Sequence, residues 1–248
     1  MIIDAHNHLG DVDALDWHQS PEELIKQMDE NGVDMAVVCP QAYPMTTVLE
    51  VNQRDNDGIA DAVRRYPDRL IGFGVATPYG GPDKGAGEVE RAIKKLGLRG
   101  IKLHQRLHGY HLIERLVGPI LSACERLKVP VLVHSGDCKS HPAVVGILAL
   151  AHPGLTVIMA HMGQGYFQEA IDAARQAGNL VLETSGESPF HVEMAVTALG
   201  AERVVYGTDT PFFPIPEGQR IVREAKISPA DRDRIMGGNA ARILGLRR

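Results

Sequence analysis

Short apolar runs alternate with amphipathic stretches from one end of the chain to the other. The runs at 2–8, 35–40, 70–76, 100–104, 130–134, 156–161, 180–184 and 203–209 predict eight strands, and the stretches between them predict helices. Two helix starts are well marked. Ser20-Pro-Glu-Glu23 reads as a capping box with proline in the first turn, and Gly32 reads as the stop of that helix. Ser228-Pro-Ala-Asp231 opens a late helix, with Asp231 near the positive end of its dipole. Positions 112–127 and 170–178 carry apolar residues at helical spacing. Eight strands, each followed by a helix, predict an α/β chain folded as a single (β/α)8 barrel over residues 1–248. Near-continuous apolar strands such as Val131-Leu-Val133 and Val157-Ile-Met159 fit parallel strands covered on both faces. A doubly wound open sheet would show the same runs. No glycine-rich dinucleotide fingerprint follows any of them.

Composition narrows the function. The 26 Lys and Arg residues are outnumbered by 31 Asp and Glu and form no block, which argues against nucleic acid as a partner. No apolar run approaches the ~20 residues of a membrane span, and no basic-apolar-small pattern opens the chain. Cys39, Cys124 and Cys138 are few and widely spaced, which predicts free thiols and a cytoplasmic location. A nucleophilic role for Cys138 is not needed.

The 11 histidines are the unusual feature. His6 and His8 are two apart on the first strand and share a face. His134 ends the fifth strand, His161 the sixth and Asp209 the eighth. Strand ends converge at the C-terminal rim of a barrel, where active sites lie. A His-x-His pair with a further histidine and an aspartate suits zinc or a similar divalent transition metal. One strand-end histidine alone would read as an ordinary hydrogen-bonding residue; five metal-type residues ending four strands do not.

The pieces Ile3-Asp-Ala-His-Asn-His8, Gly100-Ile-Lys-Leu-His104, Leu132-Val-His-Ser-Gly136, Ala160-His-Met-Gly163, Tyr206-Gly-Thr-Asp-Thr-Pro211 and the tail from Gly238 to Leu246 together resemble the amidohydrolase superfamily. The resemblance is to its amidohydrolase-2 branch, which holds hydrolases and metal-dependent aromatic-acid decarboxylases. It implies a distorted TIM barrel and one divalent metal held by His6, His8, His134 and Asp209. Zn2+ is the first expectation, with Mn2+ or Fe2+ as alternatives. It implies that His161 is catalytic beside the metal, and it brings a homodimer as an expectation.

Lys102 on the fourth strand has three readings: a carboxylated bridge between two metals, a cation gripping a substrate carboxylate, or an internal ion pair. The second is preferred. His104, on the same face, and Arg106 are expected to bind substrate, although Arg106 reads equally well as a solvated loop cation. Asp4 is expected to be a buried hydrogen-bonding group, and Glu183 a pocket wall or ion-pair partner. Trp17 and His18 are placed in a loop covering the substrate. His108, His111, His141, His152 and His191 are left outside the site. The loops at 41–51, 78–87 and 211–219 are expected to shape specificity, the last stiffened by Pro211, Pro214 and Pro216.

The first functional expectation is a hydrolase that cleaves an amide, ester or lactone of a small molecule. Metal-bound water would attack, and Asp209 would carry the proton. The alternative is a non-oxidative decarboxylase of a small aromatic acid on the same site. Hydrolysis is preferred for two reasons: 248 residues leave little room for insertions that enclose an aromatic acid, and aromatics make up only 5% of the chain. A barrel that binds a metal without catalysis is disfavoured, because a structural metal needs no extra acid–base group.

Overall fold

The computed structural model describes residues 1–12, 16–41 and 48–246. Nine strands form one sheet: β1 (Ile3–Val12), β2 (Trp17–Gln19), β3 (Met35–Pro40), β4 (Leu70–Val75), β5 (Gly100–Leu103), β6 (Val131–Val133), β7 (Val157–Met159), β8 (Leu180–Glu183) and β9 (Val204–Val205). Their order is β2-β1-β3-β4-β5-β6-β7-β8-β9. β2 pairs antiparallel with β1 as a hairpin, and every other pairing is parallel. All eight predicted strands are present. The hairpin arm is the addition: β1 runs on to Val12, and Trp17 lies in a strand where a loop was expected.

The sheet curls until its ends meet. The Ala5 N–H donates to the Tyr206 carbonyl (2.9 Å), the His8 N–H to the Thr210 carbonyl (2.8 Å) and the Asp209 N–H to the His6 carbonyl (2.7 Å). The residues after β9 therefore pair with β1 although they lack regular strand geometry. Buried Asp4 reinforces this seam by accepting from the Thr208 N–H (3.0 Å) and hydroxyl (2.6 Å).

Alternation along the strands explains their apolar runs. Val37, Ile71, Phe73, Leu132, Ile158, Val181 and Val205 pack together in one cluster inside the curl. Their strand neighbours, including Val38, Ile101, Val133, Met159 and Leu182, join the larger cluster between sheet and helices. Lys102 sits between Ile101 and Leu103, both in that outer layer, so its buried side chain belongs to the interior.

The outer layer is helical: α1 (Pro21–Asn31), α2 (Leu49–Arg65), α3 (Pro82–Lys94), α4 (Gln105–His108), α5 (Glu114–Leu127), α6 (Pro142–Ala151), α7 (Phe167–Gln176), α8 (Pro189–Leu199), α9 (Ile215–Glu224), α10 (Pro229–Asp233) and α11 (Asn239–Ile243). The predicted capping box is present: Ser20 Oγ accepts from the Glu23 N–H, and Glu23 accepts from the Ser20 N–H. Gly32 closes α1 in the left-handed region, and Ser228 caps α10. Pro216 lies in the first turn of α9, so the last rim loop is shorter than the predicted 211–219. Of the predicted loop 41–51, residues 42–47 lie outside the described residues. Among the described residues no helix is long and apolar enough to cross a membrane, and all three cysteines are free.

Thr208→Val keeps the side-chain shape but removes the hydroxyl that Asp4 accepts from. It is expected to destabilise the fold by about 1–3 kcal/mol in urea unfolding, because a buried carboxylate loses a donor. A change near zero would show that the seam does not depend on this bond.

Candidate active site

The candidate residues lie at the C-terminal ends of the parallel strands. His6 and His8 come from β1 and Lys102 from β5; His134 follows β6 at once, His161 lies two residues beyond β7, Glu183 ends β8, and Asp209 follows β9. His161 and Asp209 take positive φ values of 59° and 63°, unusual for residues with a Cβ. The chain turns sharply at both positions to bring their side chains inward.

His6 Nε2, His8 Nε2 and Asp209 Oδ1 form a triangle. The two nitrogens are 3.2 Å apart, and the carboxylate oxygen is 3.1 Å from the first and 3.0 Å from the second. All three residues are buried. The ring nitrogens on the far sides are committed elsewhere: His6 Nδ1–H donates to Glu183 Oε2 (3.0 Å) and His8 Nδ1–H to the Pro40 carbonyl (3.0 Å). Both Nε2 atoms therefore turn toward Asp209.

The hydrogen-bond directions around Glu183 follow from which groups can donate. Ser185 donates its hydroxyl to Glu183 Oε2 (2.7 Å). His161 Nδ1–H then donates to Ser185 Oγ (2.8 Å), which leaves His161 Nε2 as an acceptor. His134 Nδ1–H donates to it (3.2 Å). That order leaves the lone pair on His134 Nε2, which is buried 3.3 Å from Asp137 Oδ2 without hydrogen-bond geometry among the described residues. One carboxylate thus fixes the tautomer of His6 directly and of His134 through Ser185 and His161. The arrangement matches the carboxylate–histidine pairs that orient metal ligands.

These donors fit a divalent metal. Lone pairs on two imidazole nitrogens and a carboxylate oxygen repel at 3.0–3.2 Å unless a positive charge lies with them. Metal–nitrogen bonds of about 2.0–2.1 Å span a triangle of that size. Without a metal, Lys102 Nζ lies 2.7 Å from His6 Nε2, and His8 is pushed up to about 10: burial opposes its charge, but Cys39 and Asp209 outweigh it. Burial also lowers His6 and His161, the latter to about 3, favouring neutral rings. Although burial works against ionisation, His6 and His8 hold Asp209 well below the carboxylate range. Among the described residues, His6–His8–Cys39 and His6–His161–Glu183 are also close enough to group around an ion. The second is committed to the hydrogen bonds just described, and the Cys39 thiol donates to the Asn7 carbonyl.

A cavity of about 240 Å3 opens above the triangle. His8, His134 and Asp209 form its floor with Lys102, whose Nζ donates to His6 Nε2 at 2.7 Å. His104 and Arg106 line one side, and the His104 ring stacks on His134 at 4.1 Å. Trp17 and Phe212 line another, edge to face at 4.5 Å. Of the predicted metal and substrate residues, all but fully buried His6 line this one cavity. His161 stands behind His134 and does not line it, and His18 is exposed.

The roles of Glu183 and Ser185 exceed what the sequence suggested. A carboxylate at the end of a strand in a series whose other ends carry histidines was the available signal. Of the excluded histidines, His152 is held between Glu114 and Glu125 and His191 stacks on Phe167, while buried His108 lies edge-on to His104.

The amidohydrolase family model matches residues 3–246. The chain belongs to this family. It is 26% identical to the 2-amino-3-carboxymuconate-6-semialdehyde decarboxylase of Dictyostelium discoideum, over 99% of this chain and 81% of that protein. It is 27% identical to the gamma-resorcylate decarboxylase of Rhodococcus jostii, over 90% and 87%. The crystal structure of 5-carboxyvanillate decarboxylase from Sphingomonas paucimobilis superposes with a TM-score of 0.80 at 21% identity, covering 99% of both chains. Dihydroxybenzoic acid decarboxylase from Polaromonas sp. JS666, solved with manganese and 2-nitroresorcinol, also gives 0.80, at 22% identity over 100% of this chain and 97% of that one.

These relatives overturn the hydrolase expectation, since they are decarboxylases. Both grounds for it also fail physically. The chain matches 81% and 87% of those two enzymes' lengths, so its shortness removes little of the shared body. The low aromatic content is an average over the whole chain, whereas Trp17 and Phe212 meet at the cavity itself.

Glu183→Gln keeps the shape but weakens the acceptor that fixes His6 and His134. Affinity for a divalent transition metal is expected to fall about 10–100-fold, read by competition with a chromophoric chelator. Unchanged affinity would mean that the Glu183 network does not set these ligands.

Proposed function

We propose that this protein is a metal-dependent, non-oxidative decarboxylase of a small hydroxylated aromatic acid. In this reading the curled sheet is a distorted TIM barrel with its metal at the C-terminal rim. The observation that carries the proposal is the triangle of His6, His8 and Asp209 facing a cavity that holds both cations and aromatic rings. The decarboxylase relatives support the reaction.

His6, His8, His134 and Asp209 hold one divalent transition metal. Manganese is supported by the Polaromonas enzyme, while the histidine-rich set also accepts zinc. A bound divalent ion supplies positive charge for the anionic oxygens of the substrate. The substrate ring lies against Trp17 and Phe212, and its carboxylate faces Lys102. A cavity of about 150 Å3 accepts benzene, so about 240 Å3 accommodates one substituted ring. Arg106, exposed at the mouth, draws the anion in.

A proton is added to the ring carbon that bears the carboxylate, using a π-electron pair of the ring. The bond to the carboxylate then breaks, its electron pair restores aromaticity, and CO2 leaves. One proton is consumed for each CO2 released. Asp209 lines the cavity and carries that proton. His161 acts behind the wall by fixing His134.

Protein loaded with manganese or zinc is expected to release CO2 from hydroxylated benzoic acids while leaving lactones and amides intact. Asp209→Asn should lower the rate by at least about 100-fold. Absence of CO2 from every hydroxylated acid would overturn the reading.

A further inference from the structure

Gln41 directly follows β3, beside β1, where its N–H donates to the Leu9 carbonyl at 2.9 Å. The residue is 6% exposed and lines the cavity above the triangle with His8, Lys102 and Trp17, beside a second cavity bordered by Leu9 and Arg54. Among the described residues neither its Nε2 nor its Oε1 has a hydrogen-bond partner. The neighbouring buried glutamine shows what a structural amide looks like in this fold: Gln19 donates Nε2 to the His8 carbonyl (2.8 Å), and its Oε1 accepts from Gln27 (3.4 Å). A buried amide with both ends free is costly to the fold and is retained where a ligand completes it.

We propose that Gln41 is a specificity residue whose carboxamide reads a ring hydroxyl of the substrate. The inference rests on the decarboxylase reading and adds which group of the substrate is recognised and by what. A carboxylate only accepts hydrogen bonds, so it could engage Gln41 Nε2 alone and would leave Oε1 unpaired, and the same cavity offers it Lys102 and Arg106. A phenolic hydroxyl both donates and accepts, so it pairs with either end of the amide. A site built to hydrogen-bond a hydroxyl rejects the analogue that lacks it, because its own buried group is then left unpaired.

The test compares the metal-loaded full chain with its Gln41→Met variant, which keeps the length of the side chain and removes the amide. Calorimetric affinities are measured for benzoate, 2-hydroxybenzoate and the 2,3-, 2,4-, 2,5- and 2,6-dihydroxybenzoates. The wild type is expected to favour a hydroxyl at one ring position, and the variant to lose at least about tenfold of that preference while its benzoate affinity stays within about threefold. Its melting temperature without ligand should hold or rise, since an unsatisfied buried group has gone. The same affinity ratios in both proteins, or an equal loss for every acid including benzoate, would overturn the role. Binding of none of the hydroxylated acids by the wild type would overturn it together with the substrate class. CO2 release is followed in parallel. Hydroxyl-selective binding that depends on Gln41, without CO2 from any bound acid, would sink the decarboxylase reading alone; CO2 release with unchanged ratios would sink only the role of Gln41.

Discussion

The Glu183 carboxylate, buried at the end of β8, accepts hydrogen bonds from His6 Nδ1, the Ser185 hydroxyl and two backbone N–H groups. Burial raises its pKa, while His161 and Ser185 act in the opposite direction. Because it accepts from every one of these partners, it sets the direction of each bond outward from it. His6 must carry its proton on Nδ1; Ser185 must receive from His161; His161 must receive from His134. That ordering directs the lone pairs of His6 Nε2 and His134 Nε2 away from Glu183, the first toward Lys102 and the donor triangle. The orientation of the donor atoms at this rim is therefore set by a residue that does not line the cavity.

The ordering holds only because the sheet closes. His6 and Glu183 are 177 residues apart in sequence and meet because the residues after β9 hydrogen-bond back onto β1. The seam is irregular: β9 has only the two residues Val204–Val205, and Asp209, farther along the same seam, sits at a left-handed φ. That irregularity turns the Asp209 carboxylate toward His6 and His8, where a regular strand would have continued past them. Asp4 ties the same seam from below through Thr208. The contacts that close the fold are thus the ones that bring the donor triangle together.

Much of this was legible in the sequence. Eight apolar runs marked eight strands, and Ser20 with Glu23 marked the start of α1, because alternation and capping are local signals. His6, His8, His134 and Asp209 were legible as a group because strand ends in such a fold converge. The β2 arm was not, since three residues, Trp17–Gln19, are too few to show a period. His161 was expected to end its strand but lies two residues beyond it, and its orientation depends on four successive positive-φ residues from 161 to 164, which no residue-type pattern announces. Nor does sequence reveal that Glu183 and Ser185 form one network, because direction and partner are tertiary facts.

The choice between hydrolysis and decarboxylation turns on a further distinction. The donor set is compatible with either reaction, because both need positive charge beside an anionic oxygen and a carboxylate able to carry a proton. What separates them is the surroundings of the reacting carbon. Hydrolysis needs a nucleophile directed at a carbonyl carbon; decarboxylation of an aromatic acid, the reaction proposed, needs a ring held still while one of its carbons is protonated. The cavity walls answer the second need. Trp17 comes from the hairpin arm and Phe212 from the segment after β9, so the aromatic contact exists only once both ends of the curled sheet are in place. Composition counts aromatic residues wherever they fall, but chemistry depends on the two that the closure brings to the same wall.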